Sequence, residues 1–298
     1  MYPLKRVHLE ISTFCNSACR TCPHDKITRQ KTINTAIARQ IIIDDCLIYQ
    51  NTIELFEFHN YNEPLLTFDL FDEFASLVKE IYGDYKVGIV SNGSIMSHKI
   101  AIKLIRLKLA HIYFSIDGFS KEVFESHRVG LDRDRVYNNV DYFINMCQLM
   151  SDLTDEQILP YVSFVITDKN QHEKDLFRDY FSNRHCHFSF QDCDGRGSSV
   201  GKEQNLYNIF SEQPCDYALD GIYVLSNLDV VPCCIDWSGI EVMGNLAHQT
   251  VQEVVEGNKY QDFRDKHLTG RKREIKLCAN CKTNMIYGYP RVHEVKVS

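Results

Sequence analysis

Three cysteines in one short loop constrain this chain more than any other feature. Cys15, Cys19 and Cys22 follow a short apolar run, Val7 to Ile11, at the spacing CxxxCxxC. A [4Fe–4S] cube has four irons, so three thiolates from one loop leave one iron open to another ligand. A zinc site or a redox dithiol is the alternative, but structural zinc takes four ligands and usually pairs two CxxC motifs. The loop therefore favours an iron–sulfur cluster with one open corner.

The distribution of the other cysteines indicates a second metal site. The 298 residues include 12 cysteines, and five of them lie at positions 215, 233, 234, 278 and 281. In a reducing compartment clustered cysteines are more often metal ligands than disulfides. Cys46 and Cys147 lie within apolar helical stretches and are interpreted as core residues.

Charge and hydropathy narrow the class of protein. The net charge of −7 gives no electrostatic footprint for nucleic acid or for an anionic membrane. No apolar run approaches the roughly 20 residues that would span a bilayer. The N-terminus carries no apolar core of a signal peptide. We therefore expect a cytoplasmic protein with neither a nucleic acid nor a membrane as partner.

Strand and helix patterns alternate about six times along the first 190 residues. Six β-α units predict a parallel sheet with right-handed crossovers, and they are too few to close an eight-stranded barrel. The predicted fold is α/β, a partial (β/α)6 barrel. The predicted strands are 7–11, 53–59, 86–90, 111–116, 160–166 and 187–191, and the predicted helices are 34–49, 68–82, 100–109, 121–127, 135–150 and 170–181, with Ser120 and Asp134 as N-caps.

Polar residues follow the ends of these predicted strands. In parallel sheets of this kind, ligands bind at the carboxyl ends of the strands. The cysteine loop follows the first strand, and polar segments follow the others at 60–64, 91–93, 115–117 and 192–196. Together they outline a single site on one rim.

The pattern changes in the C-terminal part, which predicts three regions. Residues 1–194 form the barrel, the Gly- and Ser-rich segment 195–214 is a linker, and residues 215–298 form a small α+β domain. That domain is predicted to contain a β-hairpin (221–225 and 230–233) and short helices (251–256 and 260–268). A domain with so small a hydrophobic core is expected to gain stability from a bound metal.

The triple-cysteine loop at the end of the first strand of a partial barrel resembles the radical S-adenosylmethionine (SAM) enzymes. The resemblance implies that Cys15, Cys19 and Cys22 hold a [4Fe–4S] cluster whose open iron binds SAM. It implies that reduction of the cluster yields a 5′-deoxyadenosyl radical, which abstracts hydrogen from a substrate. It also implies an electron donor such as flavodoxin or ferredoxin.

The same resemblance assigns SAM contacts on the rim. Glu63 stands where the family carries its Gly-Gly-Glu-type strand end, which receives the SAM ammonium group. Two positions depart from the family pattern, Thr21 in place of an aromatic residue and Asn62 in place of glycine, which affects SAM packing rather than ligation. The implied SAM-binding residues are Asn62, Glu63, Pro64, Ser91, Asn92, Ser115 and Asp117.

The C-terminal part resembles the twitch domain, a half-size SPASM domain. The resemblance implies one auxiliary [4Fe–4S] cluster, since no cysteine follows the distal pair. The spacing is similar to that in 2-deoxy-scyllo-inosamine dehydrogenase-type enzymes, which oxidise a secondary alcohol. A structural zinc site with four thiolates is the alternative. The implied ligands are Cys215, Cys233, Cys278 and Cys281.

Three further residues are candidates for catalysis. Cys234 is predicted to point away from its neighbour along a strand, and it is either a thiol hydrogen donor or a packed core residue, as is Cys193. Arg196 has a planar fork that suits a carboxylate or a hydroxyl pair. Asp236 could accept a proton from a substrate hydroxyl. For Arg196 and Asp236 the alternative is an ordinary surface or turn residue.

These features favour a radical SAM oxidoreductase that oxidises a sugar, an aminocyclitol or a similar small polar molecule with the help of the auxiliary cluster. A second interpretation is an epimerase or crosslinking enzyme that modifies a ribosomal peptide. It is less favoured because many such enzymes carry a leader-peptide domain before the barrel, whereas here the first strand opens the sequence. The third is a non-catalytic iron–sulfur protein, against which the SAM-like rim argues.

Overall fold

Nine strands form one sheet in this computed structural model, which describes residues 3–29, 32–154, 158–193, 213–279 and 281. Side chains alternate between the two faces of each strand. The strands are β1 (Arg6–Leu9), β2 (Leu55–Glu57), β3 (Val87–Ser91), β4 (His111–Ser115), β5 (Tyr161–Ile166), β6 (His187–Asp192), β7 (Gly221–Val224), β8 (Asp229–Val231) and β9 (Gly244–Asn245).

Nine α-helices lie within the described residues, and six of them fall in the barrel part. None of the helices within the described residues is both long and apolar enough to cross a bilayer. The helices are α1 (Thr35–Gln40), α2 (Phe68–Tyr82), α3 (His98–Arg106), α4 (Lys121–His127), α5 (Arg133–Leu153), α6 (Lys174–Phe181), α7 (Asp216–Asp220), α8 (Val251–Val255) and α9 (Asn258–Leu268).

Strands β1 to β6 are parallel and neighbours in chain order, with helices in the crossovers, as the repeated β-α pattern predicts. The C-terminal hairpin continues the same sheet. Strand β7 pairs in parallel with β1, while β8 and β9 add antiparallel strands. The segment that carries the proposed auxiliary cysteines is therefore joined by backbone hydrogen bonds to the strand that leads into the cysteine loop.

The apolar core lies between the sheet and the helices that follow its strands. One face of each strand is buried against them: Val7 and Phe56 on the sheet and Phe71 and Phe74 on α2 are fully buried. The opposite face of the sheet is polar. This division places the chemistry-bearing side chains inside the curve of the sheet and at its carboxyl rim.

Several predicted elements differ in detail from those observed. The strand predicted over 53–59 is Leu55–Glu57, and the hairpin strand predicted over 230–233 is Asp229–Val231. The helix predicted over 34–49 ends as an α-helix at Gln40 and continues as a π turn, Ile41–Asp45, and a 3-10 turn, Leu47–Tyr49. The π turn places the Asp45 carboxylate 3.2 Å from the backbone nitrogen of Val251, which opens α8. The predicted N-cap of α5, Asp134, is wrong.

The N-cap of α5 is Asp132, two residues earlier in the chain. Its Oδ1 accepts a hydrogen bond from the backbone nitrogen of Arg135 at 2.7 Å. Asp134 instead lies in the first turn of the helix, where a carboxylate favours the positive end of the helix dipole. Both aspartates therefore suit a helix start, and only the backbone geometry separates the cap from the first turn.

Candidate functional site

The cysteine loop is held in place by the end of α4. The backbone nitrogen of Ala18 donates to the carbonyl of Val129 at 2.9 Å, and that of Arg20 donates to the carbonyl of His127 at 3.0 Å. These two hydrogen bonds tie the cysteine loop to the last residue of α4 and to the segment that follows it. The loop backbone is thereby preorganised before any ligand binds.

A close backbone approach at Gly130 completes this contact. Gly130 has φ +93°, a left-handed conformation that favours glycine. A Cβ atom there would lie 3.2 Å from the carbonyl oxygen of Asn16. A side chain at this position would push against the cysteine loop.

The three thiols of the loop suit a cationic ligand. Cys15, Cys19 and Cys22 are partly exposed, and a cavity of about 320 Å³ is lined by Cys19, Cys22 and their neighbours up to Lys26. Burial raises the pKa of the Cys15 thiol to about 12, and the neighbouring Cys19 and Cys22 raise it further. A metal ion that displaces the proton would stabilise the thiolate at this site.

Arg128 joins the loop to the end of β4, and sequence reasoning missed it. Its guanidinium donates to Cys19 Sγ at 3.5 Å and pairs with Asp117 Oδ2 at 2.5 Å. Ser17 Oγ lies 3.0 Å from the same sulfur. Hydrogen bonds of this kind tune an iron–sulfur cluster. Nothing in the sequence marks this arginine, since it follows an ordinary short helix.

Glu63 is a buried carboxylate on the rim. Its Oε1 accepts from Ser91 Oγ at 2.9 Å and from the backbone nitrogen of Leu65 at 3.1 Å, and its Oε2 accepts from the backbone nitrogen of Asn92 at 2.6 Å. Burial raises the pKa of Glu63 to about 7, although these hydrogen bonds oppose the shift. The backbone nitrogen of Glu63 also donates to Phe14, beside the cysteine loop, at 2.8 Å.

The neighbouring predicted SAM contacts brace the rim. Asn62 accepts from the backbone nitrogen of Asn60 at 2.9 Å, and Pro64 opens a 3-10 turn. Asn92 Nδ2 donates to Asn16 Oδ1, in the cysteine loop, at 2.9 Å. The ends of β2 and β3 are thus tied to the loop that carries the thiols.

At the end of β4 the two predicted residues differ in their surroundings. Asp117 has φ +60°, its Oδ1 accepts from the backbone nitrogen of Val165 at 2.7 Å, and its Oδ2 pairs with Arg128. Both carboxylate oxygens therefore have partners in the protein. Ser115 is only partly buried and lies opposite Ser163 of β5 in the sheet register.

The structure brings the four predicted auxiliary ligands together. Cys215 precedes α7, and Cys233 follows β8. Burial raises the pKa of Cys278 above its usual range, and the nearby thiols of Cys281 and Cys215 raise it further. Cys215 likewise contributes to the raised pKa of Cys233. Cys215 therefore lies near both Cys233 and Cys278, and Cys281 lies near Cys278.

Two buried basic residues at this group were also missed from sequence. His267 Nε2 lies 3.5 Å from Cys278 Sγ, and burial lowers the pKa of His267 to about 4, with Lys272 contributing. Lys272 is only 1% exposed and opposes the raised pKa of Cys278. A buried ammonium beside four thiols offsets their negative charge once they are ionised.

The predicted orientation of Cys234 is wrong. Cys233 and Cys234 lie in a bend and turn after β8 rather than in a strand, so side-chain alternation does not apply. A hydrogen bond with Cys234, together with burial, raises the pKa of the Cys233 thiol well above its usual value. Cys234 also packs beside Tyr217 and Tyr223, and its carbonyl accepts from the hydroxyl of Tyr61 at 2.7 Å.

Two of the remaining catalytic candidates, Asp236 and Cys193, fall within the described residues. Asp236 is buried, and its carboxylate accepts from the backbone nitrogens of Ile240 at 2.7 Å and Glu241 at 2.8 Å. Burial raises the pKa of Asp236 despite these bonds. Cys193 is buried just after β6. Arg196, like nearly all of the predicted linker, lies outside the described residues.

Residues 215–282 match the model of the SPASM family, an iron–sulfur cluster-binding domain. A SAM-dependent 2-deoxy-scyllo-inosamine dehydrogenase from Niallia circulans is 21% identical over 280 residues, which is 92% of this chain and 91% of that protein. The SPASM match begins at Cys215 and covers all four predicted auxiliary ligands. The predicted iron–sulfur binding of the C-terminal part is therefore confirmed.

Two solved structures show the fold. BtrN in complex with AdoMet and 2-DOIA superposes with a TM-score of 0.64 at 19% identity, covering 96% of this chain and 98% of BtrN. Streptococcus suis SuiB bound to its precursor peptide SuiA gives a TM-score of 0.69 at 14% identity, covering 88% of this chain and 67% of SuiB. The predicted fold class is confirmed. This chain has the fold of the radical SAM enzymes and carries a SPASM iron–sulfur cluster-binding domain over residues 215–282.

Proposed function

We propose that this protein is a radical SAM oxidoreductase that oxidises an alcohol of a sugar, an aminocyclitol or a similar small polar molecule. The observation that carries the proposal is the presence of two thiol sets at one sheet. One set is the three cysteines in the loop after β1, beside Glu63, and the other is the four cysteines that lie before β7, after β8 and after α9. The near full-length match to an aminocyclitol dehydrogenase supports the substrate class.

The residues present fit a [4Fe–4S] cluster with an open iron, and SAM beside it. Cys15, Cys19 and Cys22 would supply three thiolates, Cys19 and Cys22 line a cavity, and Arg128 donates a hydrogen bond to the Cys19 sulfur. When bound, the reduced cluster and SAM supply a 5′-deoxyadenosyl radical that removes a substrate hydrogen. Glu63, in its ionised form, binds the amino group of SAM from the end of β2.

The other rim residues hold or orient SAM. Asn62 and Pro64 shape the turn that presents Glu63, and Ser91 and Asn92 donate to its carboxylate. Ser115 is the proposed ribose contact at the end of β4. Asp117 acts through Arg128, because both of its carboxylate oxygens have protein partners.

Cys215, Cys233, Cys278 and Cys281 are proposed to hold one auxiliary [4Fe–4S] cluster. Four thiolates leave no iron open to SAM, and such a cluster can serve as an electron acceptor. The proposed catalytic residues are Arg196 for binding the substrate and Asp236 for accepting a hydroxyl proton. Cys234, beside the auxiliary ligands, would act only in the second candidate below, as a thiol hydrogen donor. The proposed regions remain 1–194, 195–214 and 215–298, and the start of the family match at 215 supports the last boundary.

The proposed partners follow from this chemistry. A flavodoxin or a ferredoxin would reduce the first cluster in the cytoplasm. The net charge of −7 argues against a nucleic acid partner.

A second candidate is modification of a ribosomal peptide, favoured by the likeness to SuiB with its precursor peptide. An epimerase needs a thiol hydrogen donor, and Cys234 would serve. An alcohol-oxidising enzyme removes substrate hydrogen, an epimerase replaces it, and a crosslinking enzyme removes it from a peptide rather than from a small molecule.

The experiment is anaerobic turnover with two sets of compounds, aminocyclitols and sugars on one side and peptides on the other. Deuterated alcohols should pass deuterium to 5′-deoxyadenosine and yield a ketone, and the Cys234→Ala variant should retain this activity. A peptide product that incorporates solvent deuterium, and that disappears in Cys234→Ala, would establish the second candidate instead.

A further inference from the structure

Four ionisable side chains meet on the polar face of the sheet, below the cysteine loop. His8 lies within β1 and is paired in register with Glu57 of β2. His59 follows β2, and His111 opens β4. His8 and Glu57 are 6% and 0% exposed, so the centre of the group is buried.

The contacts within this group converge on one carboxylate. His8 Nε2 contacts Glu57 Oε2, His111 Nε2 lies 3.1 Å from Glu57 Oε1, and His59 Nε2 lies 3.7 Å from Glu57 Oε1. One ligand atom from each of His8, Glu57 and His59 lies within 4.8 Å of the other two. Two imidazoles and one carboxylate are a donor set that divalent first-row transition ions take up readily.

Gly88 makes the approach of His111 sterically feasible. Strand β3 runs between β2 and β4, and Gly88 is the residue in register with both Glu57 and His111. A Cβ on Gly88 would lie 2.3 Å from ring atoms of His111. The absence of a side chain on β3 lets the imidazole cross that strand and reach the carboxylate.

The charge of the group calls for a cation. A buried carboxylate needs a compensating positive charge, which either a protonated imidazole or a metal ion can supply. A metal ion at about 2.1 Å from each ligand would spread the three donor atoms to separations of about 3.4 Å in tetrahedral geometry.

We propose that His8, Glu57 and His59 bind one divalent transition-metal ion inside the barrel, with His111 orienting the carboxylate. The site is distinct from both sets of thiols, since it uses no cysteine and its ligands come from β1, β2 and the segment just after β2. The metal ion would link β1 to β2 directly, and His111 would link the site to β4.

One member of this group, His111, also lines a cavity of about 220 Å³ near the amino-terminal ends of β4, β5 and β6. Most of the other residues that line the cavity are apolar, including Leu104, Ile105 and Phe143.

The test uses protein whose thiols already carry iron. Enzyme with reconstituted clusters is incubated with Zn(II) and desalted, and zinc and iron per chain are counted by mass spectrometry. We expect about one zinc per chain in the wild type and less than one tenth of that in Glu57→Gln and in His59→Gln. His248→Ala, which removes an exposed histidine, is the matched control and should keep the zinc.

The positioning residues give a graded readout. His111→Gln and Gly88→Ala should weaken zinc binding about 10- to 100-fold without abolishing it, as loss of an orienting partner does. An unchanged iron content in each variant shows that the thiol sites and the fold are intact. His59→Gln leaves the contact between His8 and Glu57 in place, so it also covers the case in which Glu57→Gln does not fold.

The anomalous signal at the zinc edge in wild-type crystals provides the direct check, and it should peak between His8, Glu57 and His59. Zinc that persists in Glu57→Gln and His59→Gln would overturn the proposal, because it would be bound elsewhere. A wild type that retains no zinc would overturn it as well, and would leave a protonated imidazole as the partner of Glu57.

Discussion

Arg29 and Glu10 form a bidentate ion pair between the segment after the cysteine loop and the end of β1. Arg29 Nε lies 2.5 Å from Glu10 Oε2, and Arg29 Nη2 contacts Oε1. Arg29 Nη1 also donates to the carbonyl of Trp237 at 2.5 Å, and the backbone nitrogen of Ser226 donates to Glu10 at 3.0 Å. One buried pair therefore joins the barrel, the cysteine segment and the loop after Cys233.

Removing Arg29 should destabilise the protein strongly. Glu10 is 1% exposed, so Arg29→Ala leaves a buried carboxylate without its partner, which costs about 3–5 kcal/mol of unfolding free energy. Denaturant unfolding of the cluster-free protein measures this. Arg39→Ala removes an exposed pair with Glu73 and should change little. Equal, small effects in the two variants would show that the buried pair does not stabilise the junction.

SAM binding should strengthen as pH rises through 7. The pKa of Glu63 is about 7, so its ionised fraction rises from about one tenth at pH 6 to about nine tenths at pH 8. The ratio of SAM affinities, wild type over Glu63→Gln, should increase about tenfold over this range. Titration of the SAM amino group affects both proteins equally and cancels in the ratio. A ratio independent of pH would contradict the role of Glu63.

Arg128→Ala should impair the first cluster, and because it also leaves the buried Asp117 carboxylate without its ion-pair partner, the unfolding free energy of the variant is measured alongside. The variant loses the hydrogen bond to Cys19 and the partner of Asp117. Loss of such an outer contact costs about 10- to 100-fold in metal affinity or activity. Iron content and the rate of 5′-deoxyadenosine formation measure this. Arg178→Ala, on the surface of α6, is the control; the same rate and iron content in both variants would remove Arg128 from the site.

Cys281→Ala should remove one cluster and leave the other. Two [4Fe–4S] clusters give about eight irons per chain, and loss of an auxiliary ligand should reduce this to about four. SAM cleavage should persist while oxidation of the substrate is lost. Cys186→Ala removes a buried cysteine that belongs to neither set and should keep both clusters. About four irons and one zinc in the wild type would show a zinc site instead.

The sequence predicted the parts of the site that depend on local spacing. Cys15, Cys19 and Cys22 are separated by a few residues, and Glu63 follows a strand within a recognisable segment. Alternation of strand and helix was sufficient to predict the six parallel strands, because each β-α unit is a local pattern.

Features that depend on distant contacts could not be predicted in this way. Arg128 reaches Cys19 only because the end of α4 packs on the cysteine loop. His267 reaches Cys278 only because α9, which carries His267, packs beside the segment that carries Cys278. The predicted orientation of Cys234 was wrong because the chain bends after β8, and side chains in a bend do not alternate between two faces as they do in a strand. Each of these depends on tertiary packing rather than on spacing along the chain.

The central claim, that the triple-cysteine loop supports radical SAM chemistry, is tested most directly by 5′-deoxyadenosine release. Reconstituted protein is reduced anaerobically with SAM, and the wild type is compared with Cys19→Ala and with Cys147→Ala, a buried helix cysteine outside both sites. The wild type and Cys147→Ala should release 5′-deoxyadenosine, and Cys19→Ala should release none. Release that survives in Cys19→Ala, or its absence from the wild type, would contradict the account.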